Sequence, residues 1–232
     1  MSETVPISTL AGDCSFLAYC ARPEGEPRGA IIVIQEIFGV NAGIRRKCDR
    51  LAADGYLALA PDLFWRIERG VELDPDVPEQ FQRALTLMGQ FDQDQGVSDI
   101  EATIRHARNA LGVPKVGVVG YCLGGRLAFM VAARTDADAS VGYYAVGVDG
   151  LLREKHAIAH PLLLHIAGAD HFVLPPVQAA MHEGLDDHPK VTLYDYPGED
   201  HGFATEIGQR RSEAAADLAD SRTAAFFAEH LG

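Results

Sequence analysis

The stretch VGVVGYCLGG (116–125) passes from a strand-like apolar run, through glycines, into RLAFMVAAR (126–134), which has the composition of a helix. Cys122 has a glycine two positions before it and another two positions after it. This G-x-C-x-G pattern is typical of a nucleophile elbow, the tight strand-to-helix turn that exposes a reactive side chain above a sheet. The unpaired N–H groups at the start of the helix favour a negative charge there, and thus a thiolate. We therefore predict that Cys122 is a nucleophile.

The pattern alone leaves a second interpretation open. Free cysteine is often buried and packs like a small apolar residue, and glycine-rich turns also occur for packing alone. The surrounding sequence must therefore supply the partners that a nucleophile needs.

Outward from this turn, strand-like and helix-like segments alternate, which predicts an α/β fold with a mostly parallel central sheet flanked by helices on both faces. Ser98 followed by Glu101 is a capping-box signal, so we predict that a helix begins there. The predicted strands cover 29–39, 56–64, 115–120, 140–145, 161–168 and 191–197, and the predicted helices 43–54, 97–111, 126–134 and 208–231.

Size and composition predict one soluble domain over residues 1–232, with 65–92 as a cap or insertion segment. The net charge of −13 disfavours binding to nucleic acid. We find no apolar run of about 18 residues and no signal peptide at the first residues, and the four cysteines lack a disulfide pattern. We therefore expect a cytoplasmic protein with no membrane partner, either a monomer or a weak homo-oligomer.

Two later strands each end in a loop with a candidate partner for Cys122. Asp170 follows the strand in LLLHIAGADHFV, and His201 follows the strand in LYDYPGEDHGFA. Nucleophile, acid and histidine are thus in the chain order of this architecture, at the carboxyl ends of strands. Asp200 and His171 are adjacent in sequence to these residues and are the alternative acid and base.

This arrangement predicts acyl transfer. His201 accepts the thiol proton, Asp170 orients the imidazole, and Cys122 attacks a carbonyl carbon to give a thioester that water hydrolyses. The oxyanion needs N–H donors, for which we predict the backbone of Leu123 and of Ile37. No cofactor or metal is required, and the histidine spacing suggests no metal site.

The segments GYCLGG, QEIFGV, AGADHFV and DHGF, with their spacing, resemble the dienelactone hydrolase family, carboxymethylenebutenolidases of the α/β-hydrolase fold. The resemblance covers nearly the whole chain and implies a triad of Cys122, His201 and Asp170. It also implies that Glu36 interacts with the resting thiol and is displaced when substrate binds. A carboxylate near the sulfur disfavours the thiolate, so the nucleophile would stay unreactive until needed.

The sequence departs from this family where the substrate carboxylate is held. Phe81 and Leu85 occupy positions at which the family has an arginine and a tyrosine, Met88 replaces a common tryptophan, and Thr205 replaces another arginine. We therefore expect a small ester or lactone substrate that is less anionic than dienelactone. The predicted substrate pocket consists of Phe38, Phe81, Leu85, Met88, Tyr144 and Phe203.

Three alternatives remain open from the sequence. Arg66, Arg69 or Arg83 could supply a cation from another direction. The fold could serve a redox-responsive or ligand-binding protein in which Cys122 is modified and not turned over. A thioesterase or a peptidase would use the same triad on a different substrate.

Overall fold

The structure is a computed structural model that describes residues 2–232. It has the predicted α/β class, with eight strands and flanking helices in residues 2–232. The chain forms two compact units. The first ends at Gly117 and also contains Glu206–Gln209, and the second consists of Val118–Thr205 and Arg210–Gly232. The assignment of 65–92 as a cap remains a prediction.

In the first unit the strand order is β1-β2-β4-β3, with β3 and β4 parallel and the pairs β1–β2 and β2–β4 antiparallel. All residues of β3 and β4 are buried, as expected for strands covered on both faces. The elements are β1 Ser2–Ser8, β2 Ser15–Ala21, β3 Ala30–Ile34, α1 Ala42–Ala53, β4 Leu57–Pro61, α2 Pro78–Gln90 and α3 Gln93–Asn109.

The predicted start of α3 is wrong. The helix begins at Gln93, where the Asp92 side chain accepts hydrogen bonds from the backbone N–H groups of Asp94 and Gln95. Ser98 lies inside the helix, and its hydroxyl donates to the Asp94 carbonyl. A carboxylate is a strong N-cap acceptor, so Asp92 starts the helix before Ser98 can do so.

The second unit contains most of β5, and its strand order is β5-β6-β7-β8, with β6, β7 and β8 parallel to one another. Parallel neighbours end at the same edge of a sheet, so the loops that follow β7 and β8 lie side by side. The elements are β5 Val116–Tyr121, α4 Leu123–Arg134, β6 Ala139–Tyr143, a 3-10 helix at Asp149–Ala157, β7 Leu162–Ala167, α5 Pro175–Leu185, β8 Val191–Tyr196 and α6 Glu213–Leu231.

No helix within residues 2–232 is both long enough and apolar enough to cross a membrane.

Candidate active site

Cys122 lies at a sharp turn between β5 and α4. Its backbone has φ 56° and ψ −113°, a conformation that non-glycine residues rarely adopt. The turn is held by a hydrogen bond from the Cys122 N–H to the Tyr143 carbonyl at 3.1 Å. A Cβ on Gly120 would lie 1.9 Å from the carbonyl oxygen of Gly124, so the close approach of strand and helix requires glycine. The predicted elbow geometry is therefore present, with a half-buried thiol at the start of α4.

His201 and Asp170 form a buried pair in the loops after β8 and β7. The imidazole Nδ1 lies 2.9 Å from Asp170 Oδ2, and each side chain is 1% exposed. The other carboxylate oxygen accepts the N–H groups of Phe172 at 2.8 Å and of Val173 at 3.1 Å. Asp170 is therefore fixed by its own loop, and Oδ2 is directed to the imidazole.

The electrostatics of His201 differ from those of an isolated histidine. Burial lowers its pKa, but Asp170 and the nearby Cys122 outweigh burial and raise that pKa to about 10. Nε2 is buried and makes no well-oriented hydrogen bond to the part of the chain that the structure describes. Catalytic hydrogen bonds are often long or poorly aligned before substrate binds. The imidazole therefore holds its proton at neutral pH, next to the sulfur.

The two alternative partners pair with each other. His171 Nδ1 lies 2.7 Å from Asp200 Oδ1, and both side chains are more than half exposed. Ligand atoms of Asp170, His171 and Asp200 lie within 4.8 Å of one another, close enough for a cation. The oxygens nearest the histidines already accept hydrogen bonds, however, so we assign no metal site to this group.

Aromatic rings surround His201. Tyr144, at φ 36°, lies 4.9 Å from the imidazole between ring centroids, and Phe203 lies 5.7 Å from Tyr144. Phe172 also lies 4.9 Å from His201 and is 51% exposed. Phe172 was not among the predicted site residues, although it follows Asp170 by two positions in AGADHFV.

The predicted site residues of the first unit follow β3. Glu36, Ile37 and Phe38 are all buried, at 8%, 5% and 2% exposed. Phe38 contacts Phe81 of α2, with ring centroids 5.8 Å apart.

Helix α2 directs Ala84 and Leu87 to the interior. Phe81 and Leu85, one helical turn apart, are half-buried, whereas Met88 is 39% exposed. The two half-buried residues share a face, as the spacing predicts.

The three alternative arginines all have partners within the first unit. Arg83 pairs with Glu68, and Arg66 pairs with Asp99 and stacks over Trp65 at 4.2 Å. Arg69 also lies over the Trp65 ring, at 5.4 Å. These contacts favour a structural role for the three arginines over the alternative in which one of them supplies a cation to the substrate.

Comparison with known proteins gives the same family as the motifs. A profile of the Dienelactone hydrolase family matches residues 16–231. The chain is 46% identical over 228 residues to a protein of Azospirillum brasilense assigned as a carboxymethylenebutenolidase, covering 97% of this chain and 99% of the relative. It is 40% identical to the carboxymethylenebutenolidase of Pseudomonas putida, covering 98% and 97%.

Among solved structures, a protein of Klebsiella pneumoniae assigned as a dienelactone hydrolase is similar over 99% of both chains. The TM-score is 0.84 and the sequence identity 27%. This likeness confirms the predicted α/β-hydrolase fold. By fold and by sequence, the chain belongs to the dienelactone hydrolase family.

Proposed function

We propose that the protein hydrolyses the carboxylic ester or lactone bond of a small molecule, with Cys122 as nucleophile, His201 as acid and base, and Asp170 as the residue that orients His201. The observation that carries the proposal is the buried His201–Asp170 pair next to Cys122, which has a positive φ at the turn between strand and helix. Membership of a hydrolase family supports the reaction class.

The raised pKa of His201 gives the order of proton transfers. The imidazole is protonated at neutral pH, so an imidazolium lies beside the sulfur, and we propose that the sulfur attacks as a thiolate. A C–S bond forms, and the carbonyl electron pair moves to oxygen. The Leu123 N–H at the start of α4 is our proposed donor to that oxyanion, and the Ile37 N–H remains our predicted second donor.

Collapse of this intermediate breaks the C–O bond. His201 gives its proton to the departing oxygen and becomes neutral, leaving an acyl thioester on Cys122. Water then attacks the thioester while His201 takes the proton of that water. The carboxylic acid leaves, and the thiolate–imidazolium pair is restored.

Our prediction that Phe81 and Leu85 line the substrate pocket favours a neutral substrate. Phe81 and Leu85 cannot form the paired hydrogen bonds that a buried carboxylate needs, whereas they can contact an apolar group. Arg66 and Arg83 each pair with a carboxylate of the protein, at Asp99 and Glu68.

The decisive experiment compares Cys122→Ala with Cys14→Ala, because Cys14 is an exposed thiol that serves as a matched control. Both variants and the wild type are assayed on neutral and anionic esters and lactones, and mass spectrometry of quenched reactions searches for an acyl group on Cys122. We expect turnover and acylation in the wild type and in Cys14→Ala, and neither in Cys122→Ala.

Turnover by Cys122→Ala at the wild-type rate would overturn the proposal. A wild type that hydrolyses no ester but whose Cys122 is reversibly oxidised would indicate a redox-responsive protein. Faster turnover of acyl thioesters than of oxygen esters would indicate a thioesterase.

A further inference from the structure

Asp200, next to the proposed base, contacts both loops of the His201–Asp170 pair without belonging to that pair. We propose that Asp200 is a positioning residue, which holds the His201 backbone and ties it, through His171, to the loop of Asp170. The inference rests on the proposed function, because it concerns the residue that we propose as the base.

The contacts converge on one oxygen. Asp200 Oδ1 accepts the backbone N–H of His201 at 2.6 Å, the backbone N–H of His171 at 3.1 Å and the ring Nδ1–H of His171 at 2.7 Å. A single carboxylate oxygen therefore joins the residue after Asp170 to the base itself.

Backbone hydrogen bonds connect the same two loops only in the residues before Asp200. The Ala169 N–H donates to the Glu199 carbonyl at 2.8 Å, and the Gly168 N–H donates to the Tyr196 carbonyl at 2.9 Å. These bonds extend the strand pairing only as far as Glu199. Beyond that point, the Asp200 carboxylate takes over the connection between the loops.

The charge of Asp200 suits this role. Burial acts to raise its pKa, but hydrogen bonds from His171 and from the His201 backbone outweigh burial and lower that pKa. Asp200 is therefore a carboxylate at neutral pH, and hydrogen bonds to a charged acceptor are stronger than neutral ones.

The chain offers a matched control in the same unit. His182 Nδ1 lies 2.9 Å from Asp186 Oδ1, and this pair also links an exposed aspartate to a histidine. It lies at the end of α5, and within residues 2–232 neither side chain makes a hydrogen bond to Cys122, His201 or Asp170. An exposed pair of this kind contributes about 0–1 kcal/mol to stability, so we expect Asp186→Ala to fold as the wild type does.

The experiment measures kcat and KM for a neutral ester on Asp200→Ala, Asp200→Asn and Asp186→Ala. We expect Asp200→Ala to lower kcat about 10-fold with KM within about 2-fold, because the base is misplaced and substrate contacts remain. Asp200→Asn keeps an oxygen that accepts N–H groups, so it should retain most of kcat. Asp186→Ala should match the wild type.

A second pair of variants tests the tie to the other loop. His171→Ala should lower kcat with KM retained, whereas His182→Ala should not. Since His171 acts through Asp200, the double variant His171→Ala/Asp200→Ala should be no slower than Asp200→Ala alone. If Asp200→Ala does not fold, the comparison of His171→Ala with His182→Ala still tests the tie between the loops.

An NMR measurement separates this inference from the proposed function. The Nδ1–H of His201, bound to Asp170, should give a downfield proton resonance that broadens or shifts in Asp200→Ala and not in Asp186→Ala. If Asp200→Ala matches Asp186→Ala in both kcat and this resonance, Asp200 positions nothing. If the resonance responds but Cys122→Ala retains activity, the proposed function fails and the positioning role stands.

Discussion

Phe172 meets the imidazole of His201 edge to face, at 4.9 Å between ring centroids and an interplanar angle of 81°, while 51% of its surface remains exposed. His201 donates its proton to the departing oxygen in the proposed mechanism. A ring that contacts this imidazole and also faces solvent is suitably placed to contact the leaving group.

Phe172→Ala should therefore weaken the preference for aromatic leaving groups. Aromatic contacts contribute about 0.5–1.5 kcal/mol, so kcat/KM for phenyl acetate should fall about 2- to 10-fold more than kcat/KM for methyl acetate. Leu174→Ala is the control, because Leu174 is equally exposed on the same loop, at 56%. Equal losses on the two esters in Phe172→Ala would contradict this role.

The pH dependence of activity should show an alkaline limb near pH 10. The pKa of His201 is raised to about 10, so the imidazole keeps the proton that the leaving group needs until the pH passes that value. Asp170→Asn removes a charge that raises this pKa, so its alkaline limb should move to lower pH. The measurement is a pH profile of kcat/KM for the wild type and for Asp170→Asn. An alkaline limb at the same pH in both would contradict its assignment to His201.

Gly120→Ala should destabilise the protein strongly. The added methyl group would lie 1.9 Å from the Gly124 carbonyl oxygen, so the strand or the helix must shift, at a cost of about 3 kcal/mol or more. Gly89→Ala is the control, because that glycine lies in α2 with open space around it. There the same change should stabilise by about 0.5–1 kcal/mol. Urea unfolding of the two variants measures whether each change lowers or raises the free energy of unfolding.

Wild-type kcat/KM should be higher for a neutral lactone than for the dienelactone carboxylate, and Phe81→Arg should narrow this gap. The new guanidinium can contribute at most about 1–3 kcal/mol, the magnitude of a hydrogen bond between charged groups. Gln82→Arg adds the same charge on an exposed position of α2 and should leave the ratio unchanged. A wild type that prefers the anionic substrate would show that another cation binds its carboxylate.

Glu36→Gln tests the prediction that the Glu36 carboxylate keeps the Cys122 thiol unreactive in the resting enzyme. If the carboxylate disfavours the thiolate, its removal should change the rate at which iodoacetamide alkylates Cys122 in the resting enzyme. Alkylation rates that coincide with the wild type across the pH range would exclude this role for Glu36.

The sequence predicted the elbow because its requirements are local. Gly120 must be a glycine because the strand and the helix approach so closely there, and no distant contact changes that need. The N-terminal hairpin of β1 and β2 was missed, because exposed and buried residues share short strands at the edge of the sheet and no long apolar run marks them. Asp92 was overlooked as the N-cap because a later capping box gave a stronger pattern.

The features missed near His201 also lack a local sequence pattern. Phe172 is a single exposed ring in a loop, and no periodicity marks such a residue. The pairing of Asp200 with His171 depends on two loops that are about 30 residues apart in sequence and meet only because β7 and β8 are parallel neighbours. Sequence therefore supplied the candidates, and sheet topology decided which aspartate meets which histidine.

The unequal burial of the four cysteines makes the protein suited to active-site titration. Burial raises the pKa of the Cys20 thiol and raises that of Cys48 further, so neither should react with an alkylating reagent at neutral pH. Once the exposed Cys14 is replaced, Cys122 is the accessible thiol among the described residues. The moles of label taken up per mole of chain would then count the competent molecules in a preparation, and rates could be expressed per working site.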